Sequence, residues 1–472
     1  MCYKERDKRI YGGIHLAIPY ANGMERRIYP ARAGGNTREE NIMENPVWQA
    51  NQAVIAERWP DLLAQLSDSD TTTLEAEIVE GLCNTLSVNG LQLSSRHNAV
   101  AEARELAGDV RGQPIVHCYG SGLGHLPRAA LEDKRLHALK VRVLNPALFA
   151  LTLQLTEQQD WLADPRTDLA LADDREPAKM PFLTLPAEMQ LASDAALPTV
   201  QALEAELTRD FTERRFTAQN EELTARLLQN KPLVLSDGDA VSLYGDHAGG
   251  TAIVCGAGPT LTAALPRIKA LQEENPNTIV IAVDTSLKAL SGESLVPDYA
   301  VSIDPLIKPS HLGSADWSDV RLVYFPLVPT ETLQAWQGLR FAAVSANPLY
   351  AVLNGATPLA KLHSGGSVIH PAVDLAVRLG CEQVILAGTD FGYPGNRTHA
   401  GWQDGALGPS MATAGAWTIN GHGERIPSDT NFNNYRVELE RYIAARPNVQ
   451  FFSSSLDGAR IRGTELHPEF AL

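Results

Sequence analysis

A chain of 472 residues is long enough to bury a large core and too long for one ordinary domain, so two domains with attachments are expected. Its formal net charge of -16 argues against a nucleic-acid backbone as partner, since phosphate binding needs a concentrated basic surface, although a local basic pocket could still serve a nucleotide. No apolar run is long enough to cross a bilayer, and MCYKERDKRI lacks the apolar centre of a signal peptide. The five cysteines, Cys2, Cys83, Cys118, Cys255 and Cys381, are spaced as in a reduced cytoplasmic protein with no membrane partner.

Residues 1–43 mix Arg, Gly, Pro and Asn without periodicity, which predicts a disordered extension with Met43 as a candidate start. From Pro46, VWQANQAVIAERWPDLLAQL predicts two helices, or one kinked at Trp59-Pro60. LEAEIVEGLCNTL and NGLQLSS read as strands turning at Asn89-Gly90, and NAVAEARELAGDV as an Ala-rich helix. PIVHCYGSGLGHLPRAALEDKRLHALKVRVLNPALFALTLQL then reads strand, glycine turn, helix, strand, helix, a Rossmann-like module within residues 44–190. Gly120, Gly122 and Gly124 suit a turn whose N–H groups meet a ligand. A dinucleotide site wants a carboxylate at the end of the second strand, where Asn145 stands, so the other reading is a turn whose glycines serve close packing.

The Pro-rich, acidic DDREPAKMPFLTLPAEMQLASDAALP marks a domain border, and a linking helix over 191–231 is expected to bend or to pack across the seam. A central domain over 232–430 follows. TAIVCGAG, TIVIAVD and YAVSID are apolar on both faces, which predicts strands buried in a parallel sheet, because a strand wetted on one side would alternate. RLVYFPL, FAAVSAN and VILAG add strands, while PTETLQAWQ and VIHPAVDLAVRLG add helices. NFNNYRVELERYIAARPNVQFFSSS supplies a helix and strand over 431–472, expected to pack on the central domain. The fold class is α/β with two Rossmann-like parallel-sheet domains. Ligands of such sheets bind outside the carboxyl ends of the strands, so Gly256, Gly258, Asp284 and Asp304 are expected to face one crevice. Thr389 to about Ser428 shows no period, as in a functional lid or binding loop.

These segments, in this order, resemble the motility accessory factor family of bacterial flagellin glycosyltransferases over most of the chain. The likeness rests on LSSRHNAVAEARELA, YGSGLGHLP and VRVLNPALF in the first domain. In the central domain it rests on GAGPTL, AVDTSLKAL, VPDYAVSID, HSGGSV, VDLAVRLG and GTDFGYPGNRTHA, with FFSSSLDGARIRGT at the end. More faintly, the central domain is similar to bacterial CMP-sialic-acid sialyltransferases, through Gly256, Gly258, Pro259, then Ser364-Gly365, then Gly388, Asp390 and Phe391. An archaeal pterin diphosphokinase shares the same central domain. The resemblance implies metal-independent transfer of a nonulosonic acid, of pseudaminic or legionaminic type, from its CMP-activated form to Ser or Thr of flagellin, without a cofactor. The rival readings are an ATP-dependent pterin diphosphokinase and a non-catalytic flagellin-binding or scaffold protein.

Each candidate residue has a functional and a structural reading. N–H groups from Gly256 to Thr260, around Pro259, would hold the donor phosphate or sugar carboxylate, or form a plain tight turn with Thr260 opening the helix. Asp284 would bond ribose or cytosine, or cap a helix, or both. Asp304 would orient donor or acceptor, or serve Asp-Pro turn chemistry. Asp390 is placed with the donor site but reads first as an organiser of its loop. Tyr393 and His399 are the loop's acid/base candidates, a phenol for the leaving phosphate and an imidazole to take or give a proton, the histidine's other reading being a solvent-exposed side chain. Ser364, Gly365 and Gly366 offer N–H donors beside the donor sugar, or merely start a helix.

Overall fold

The computed structural model describes residues 45–172, 178–213, 220–407 and 410–471. The extension expected at 1–43 and residues 214–219 of the expected linking helix lie outside the described residues. Trp59-Pro60 separates two helices, Pro46–Arg58 and Pro60–Ser67, the second opening on its proline. Strands β1 (Ala76–Val79), β2 (Thr85–Val88) and β3 (Leu91–Gln92) form a small antiparallel sheet that turns at Asn89-Gly90 as expected.

The first large sheet is parallel, with strands β4 (Ile115–Tyr119), β5 (Ala138–Val143), β6 (Thr167–Leu171) and β7 (Phe182–Thr184) in the order β6-β5-β4-β7. Strand β7 was missed, because PFLT lies in the Pro-rich stretch read as a border and has no length of its own to signal a strand. Asn145 caps the helix Pro146–Leu155, accepting from the Leu148 N–H at 3.1 Å. The glycine turn after β4 is filled from within the chain. Gly122 N–H donates to the carboxylate of Glu188 at 3.0 Å, and Glu188 is only 5% exposed. A methyl on Gly120 would fall 1.8 Å from Glu188 Oε2, so the close-packing reading of these glycines describes the observed geometry. Burial pushes the Glu188 carboxyl up to about 7, opposed by the bond from Gly122.

The second large sheet has nine parallel strands: β8 (Gly238–Asp239), β9 (Thr251–Cys255), β10 (Thr278–Val283), β11 (Tyr299–Ser302), β12 (Arg321–Tyr324), β13 (Arg340–Ala342), β14 (Gln383–Ala387), β17 (Gln450–Ser453) and β18 (Glu465–Leu466). Their order is β18-β17-β14-β9-β10-β11-β12-β13-β8, so the chain's final strands join the central sheet itself. Alternate residues of one strand feed opposite layers. Ala252, Val254, Ile279 and Ile281 face the helices Ile369–Arg378 and Thr430–Ala444, while Ile253, Cys255, Val280 and Ala282 face Leu261–Glu274. This two-sided burial is why the apolar runs do not alternate. Pro371 sits in the first turn of its helix, where its missing N–H costs nothing. Between β14 and β17 the stretch that showed no period contains a hairpin, β15 (Ala416–Ile419) with β16 (Arg425–Ser428).

The linking segment is two helices, Leu197–Glu213 and Glu221–Ser236. The second already belongs to the central layers: Asn230 Nδ2 donates to the carbonyls of Pro326 and Val328 at 2.9 and 2.8 Å. Pro232, read as the first residue of the central domain, therefore lies inside a helix packed on it. The first helix touches both units, with Val200 and Leu203 against Tyr119 and Leu144, and Ala202 and Ala205 against Val437. Across that seam Arg436, 2% exposed, is ion-paired with Glu440 and donates to Gln201 Oε1 at 2.5 Å. Removing the cation leaves Glu440, 7% exposed, as a buried unpaired charge. Arg436→Ala is therefore expected to cost about 3–5 kcal/mol, read as a lowered denaturation midpoint in urea.

Candidate active site

Because β9, β10, β11 and β14 are parallel neighbours, the residues that follow them emerge at one edge of the sheet. Gly256, Asp284, Asp304 and Gly388 are therefore gathered there, as expected from their strand-end positions. The order of strands runs from β9 to β13 on one side and to β14 and β17 on the other, which puts the reversal between β9 and β14. Ligands of open parallel sheets lie in that crevice. Here the crevice is filled by protein.

Asp390 fills it. Its Oδ2 accepts from the Thr260 N–H at 2.8 Å and its Oδ1 from the Thr260 hydroxyl, while burial pushes the carboxyl up to about 6 against those bonds. The other donors of the Gly-Pro turn are also spent on the chain, Gly256 N–H on the Ala387 carbonyl at 2.8 Å and Gly258 N–H on the Gly388 carbonyl at 2.7 Å. The expected phosphate cradle from Gly256 to Thr260 is thus corrected. Pro259 has no N–H, its carbonyl accepts from Arg397 at 3.1 Å, and Thr260 opens its helix without capping it, its hydroxyl being turned to Asp390. A methyl on Gly258 would fall 2.5 Å from Asp390 Oδ2 and 2.7 Å from the Gly388 carbonyl oxygen, which explains the glycine.

Asp284 lies at the end of β10, 2% exposed, accepting from Ser302 Oγ at 2.7 Å and from the Thr285 N–H at 2.7 Å. Burial pushes its carboxyl up to about 7, opposed by the Ser302 bond and assisted by the neighbouring charge of Asp304. Asp304 itself is exposed and accepts from the Leu306 N–H at 2.8 Å, an Asx turn. Two carboxyl groups in unlike surroundings at one edge are what acid and base assignments require.

The other candidates are distributed differently from expectation. Lys361 bridges Val344 just beyond β13, and the helix from Ile369 packs on β9 and β10, so Ser364, Gly365 and Gly366 cross the same carboxyl edge. Gly365 N–H is spent on His370 Nδ1 at 3.2 Å, and a methyl on Gly366 (φ 94°) would lie 2.7 Å from the Tyr435 ring, so this loop is clamped to the helix Thr430–Ala444. His399 has its Nδ1 buried without a partner, and burial pushes the imidazole down to about 4 against the pull of Asp404. The neutral ring that burial favours carries one N–H and one free nitrogen, so the expected acid/base role stays a proposal. Tyr393 is 1% exposed with its ring 5.5 Å from that of Phe432, and burial followed by the charges of Asp429 and Asp404 pushes its phenol up to about 12. The ring is thus packed in the core beside Phe432.

The edge beside Asp284 is covered. Ala400 N–H donates to the Ala257 carbonyl at 2.9 Å and the Trp402 indole to the Thr285 carbonyl at 3.0 Å, so the segment from Arg397 lies across the edge. Lys288 and His311 complete the rim against Trp402. Sequence reasoning missed these three and Ser302. The spacing of Lys288 four residues after Asp284 was the one available signal, since an isolated tryptophan in an aperiodic loop has no period to read.

Residues 225–396 match the family model described as 6-hydroxymethylpterin diphosphokinase MptE-like. The central domain is similar to that family over these residues. A curated relative, the 6-hydroxymethyl-7,8-dihydropterin pyrophosphokinase of Methanothermobacter thermautotrophicus, is 32% identical over 168 residues, which is 34% of this chain. The chain spans 65% of that relative's length, just short of two thirds. Among solved structures, the MAf glycosyltransferase from Magnetospirillum magneticum AMB-1 aligns over 90% of this chain and 75% of its own at 16% identity, with a TM-score of 0.41. Among the described residues no helix is long and apolar enough to cross a membrane.

The acidic edge of the central domain generates two expectations. The Asp284 carboxyl, raised from 3.8 to about 7, binds more protons folded than unfolded, so its contribution is fully present below pH about 4 and lost as pH rises through about 7. Asp284→Asn keeps an oxygen for the Thr285 N–H, turns the Ser302 contact round so that the amide donates to that hydroxyl, and removes that loss; its melting temperature should exceed that of the parent by a few degrees at pH 8, the gap closing towards pH 4. Gly258→Ala should cost roughly 1–3 kcal/mol through overpacking against Asp390, measured by chemical denaturation.

Proposed function

We propose that this chain is a cytoplasmic nucleotide-sugar-dependent glycosyltransferase that moves a nonulosonic acid, pseudaminic or legionaminic in type, from its CMP-activated form to Ser or Thr hydroxyls of flagellin, without a metal. The segment resemblance to the motility accessory factor family supports the substrates. The observation that carries the chemistry is the carboxyl pair at the ends of β10 and β11, with Asp284 buried behind Ser302 and Asp304 exposed at the rim. In this reading Asp304 takes the proton from the acceptor hydroxyl as its oxygen bonds the anomeric carbon, and the bond to the phosphate breaks to release CMP. Asp284 holds the ribose or the cytosine edge, since a carboxyl near its pKa donates or accepts with equal ease. The acidic edge also favours the positive charge that gathers on the sugar ring as the leaving group departs.

The family match favours a second reading, ATP-dependent transfer of diphosphate to a hydroxymethylpterin. A triphosphate asks for several free backbone donors, and those of the Gly-Pro turn are bonded to Ala387, Gly388 and Asp390, which argues for the donor with a single phosphate. Incubating the full chain with CMP-nonulosonate and flagellin, in the presence of a chelator, should glycosylate flagellin. Asp304→Asn should lower the rate about 10²–10⁴-fold, the usual contribution of a general base. Wild-type turnover in both Asp284→Ala and Asp304→Asn would refute the site, and diphosphate transfer from ATP to a hydroxymethylpterin would establish the second reading instead.

A further inference from the structure

Trp402 is unexplained by packing or by the chemistry above. It belongs to neither apolar layer of the central sheet, although a tryptophan carries one of the largest apolar surfaces available to a side chain. Its indole N–H donates to the Thr285 carbonyl at 3.0 Å, the Lys288 ammonium stands 3.9 Å from its ring centroid, and His311 meets it edge-on with centroids 5.6 Å apart. Thr285 adjoins Asp284, Lys288 lies one turn further on, and His311 sits in the turn after Asp304. One side chain from the long loop thus touches the segments that follow β10 and β11, bonding the residue next to Asp284, whose carboxyl is 2% exposed. The backbone beside it is bracketed by Gly401 (φ 72°) and Gly405 (φ 75°), conformations that favour glycine.

We propose that Trp402 and Lys288 form a recognition pair for a nucleoside monophosphate group, and that the contacts seen here hold the pair closed over Asp284 until that ligand takes their place. A ring face that attracts an ammonium also stacks a nucleobase, and an ammonium held on a ring is free to exchange that ring for a phosphate. Binding therefore trades one set of contacts for another of the same kind. The ligand's base replaces Lys288 on the indole, its phosphate replaces the indole on Lys288, and the lifted ring uncovers Asp284. The identity of the ligand as CMP rests on the reading proposed above; the closed pair does not.

The test compares the full chain with Trp402→Ala, Trp402→Phe and Lys288→Ala, each first checked for an unchanged melting curve, in calorimetric titrations with CMP and with cytidine. Trp402→Ala should weaken both ligands by about tenfold or more, the usual loss when a stacking ring is removed. Trp402→Phe keeps a ring but loses the bond to Thr285, so it should bind CMP within about threefold of the parent while the Ala400 amide exchanges hydrogen faster. Lys288→Ala should weaken CMP, while cytidine, whose place on the indole is then already free, should bind at least as tightly as in the parent. CMP binding that is undetectable in the parent, or unaltered in Trp402→Ala, overturns the pair, as does unaltered exchange at Ala400 in Trp402→Phe. If CMP binds with the expected pattern and no sugar is transferred, the pair stands and the transferase reading falls. Transfer by a Trp402→Ala protein with parental CMP affinity has the opposite meaning.

Discussion

The bond between Asp390 and Thr260 is the constraint on which the central domain's site depends. It joins the end of β14 to the turn after β9, at the point where the sheet's strand order reverses. A carboxyl placed there takes both donors of Thr260 and excludes a side chain at Gly258, while the Gly256 and Gly258 N–H groups meet the carbonyls of Ala387 and Gly388. The loop that begins at Asp390 is then aimed across the strand ends, where Ala400 and Trp402 settle on Ala257 and Thr285. Further along the same edge, after β10 and β11, stand the Asp284 and Asp304 carboxyls.

The two glycine turns of the molecule have the same physical solution. After β4 the turn's N–H meets Glu188, and after β9 it meets Asp390, each an internal carboxyl nearly removed from water. A turn of this kind gathers donors and partial positive charge, and an anion satisfies it whether that anion is a ligand or a side chain. Burial pushes both carboxyls upward, against the hydrogen bonds that favour their charge. Asp284 is a third buried carboxyl that burial pushes upward, and its partners are the Ser302 hydroxyl and the Thr285 N–H beside it.

The edge that carries these groups is supported from far away in the chain. Gly365 and Gly366 are held on the helix Thr430–Ala444 through His370 and Tyr435, and the same helix meets Leu197–Glu213 across the domain seam through Arg436 and Gln201. The first domain therefore reaches the site through two packed helices. Movement of one domain on the other would be felt at the loop from Ser364, because buried polar contacts of this kind do not deform gradually.

What could be read from the amino-acid sequence was local. Runs such as TIVIAV, apolar on both faces, settle that β9, β10, β11 and β14 are interior strands of a parallel sheet, and parallel strands bring their carboxyl-end residues to one edge. That is enough to gather Gly256, Asp284 and Asp304. What only the tertiary structure decided was which of those groups remain free. Asp390 reaches Thr260 across 130 residues and Trp402 reaches Thr285 across 117, and no periodicity relates positions so distant. Strand β7 and the hairpin β15–β16 were hidden for a related reason, since three or four residues become a strand only when a neighbour supplies the other half of each hydrogen bond. A pattern of side chains specifies which surfaces are buried; it is the folded chain that determines whether a donor at a strand end faces a ligand or another part of itself.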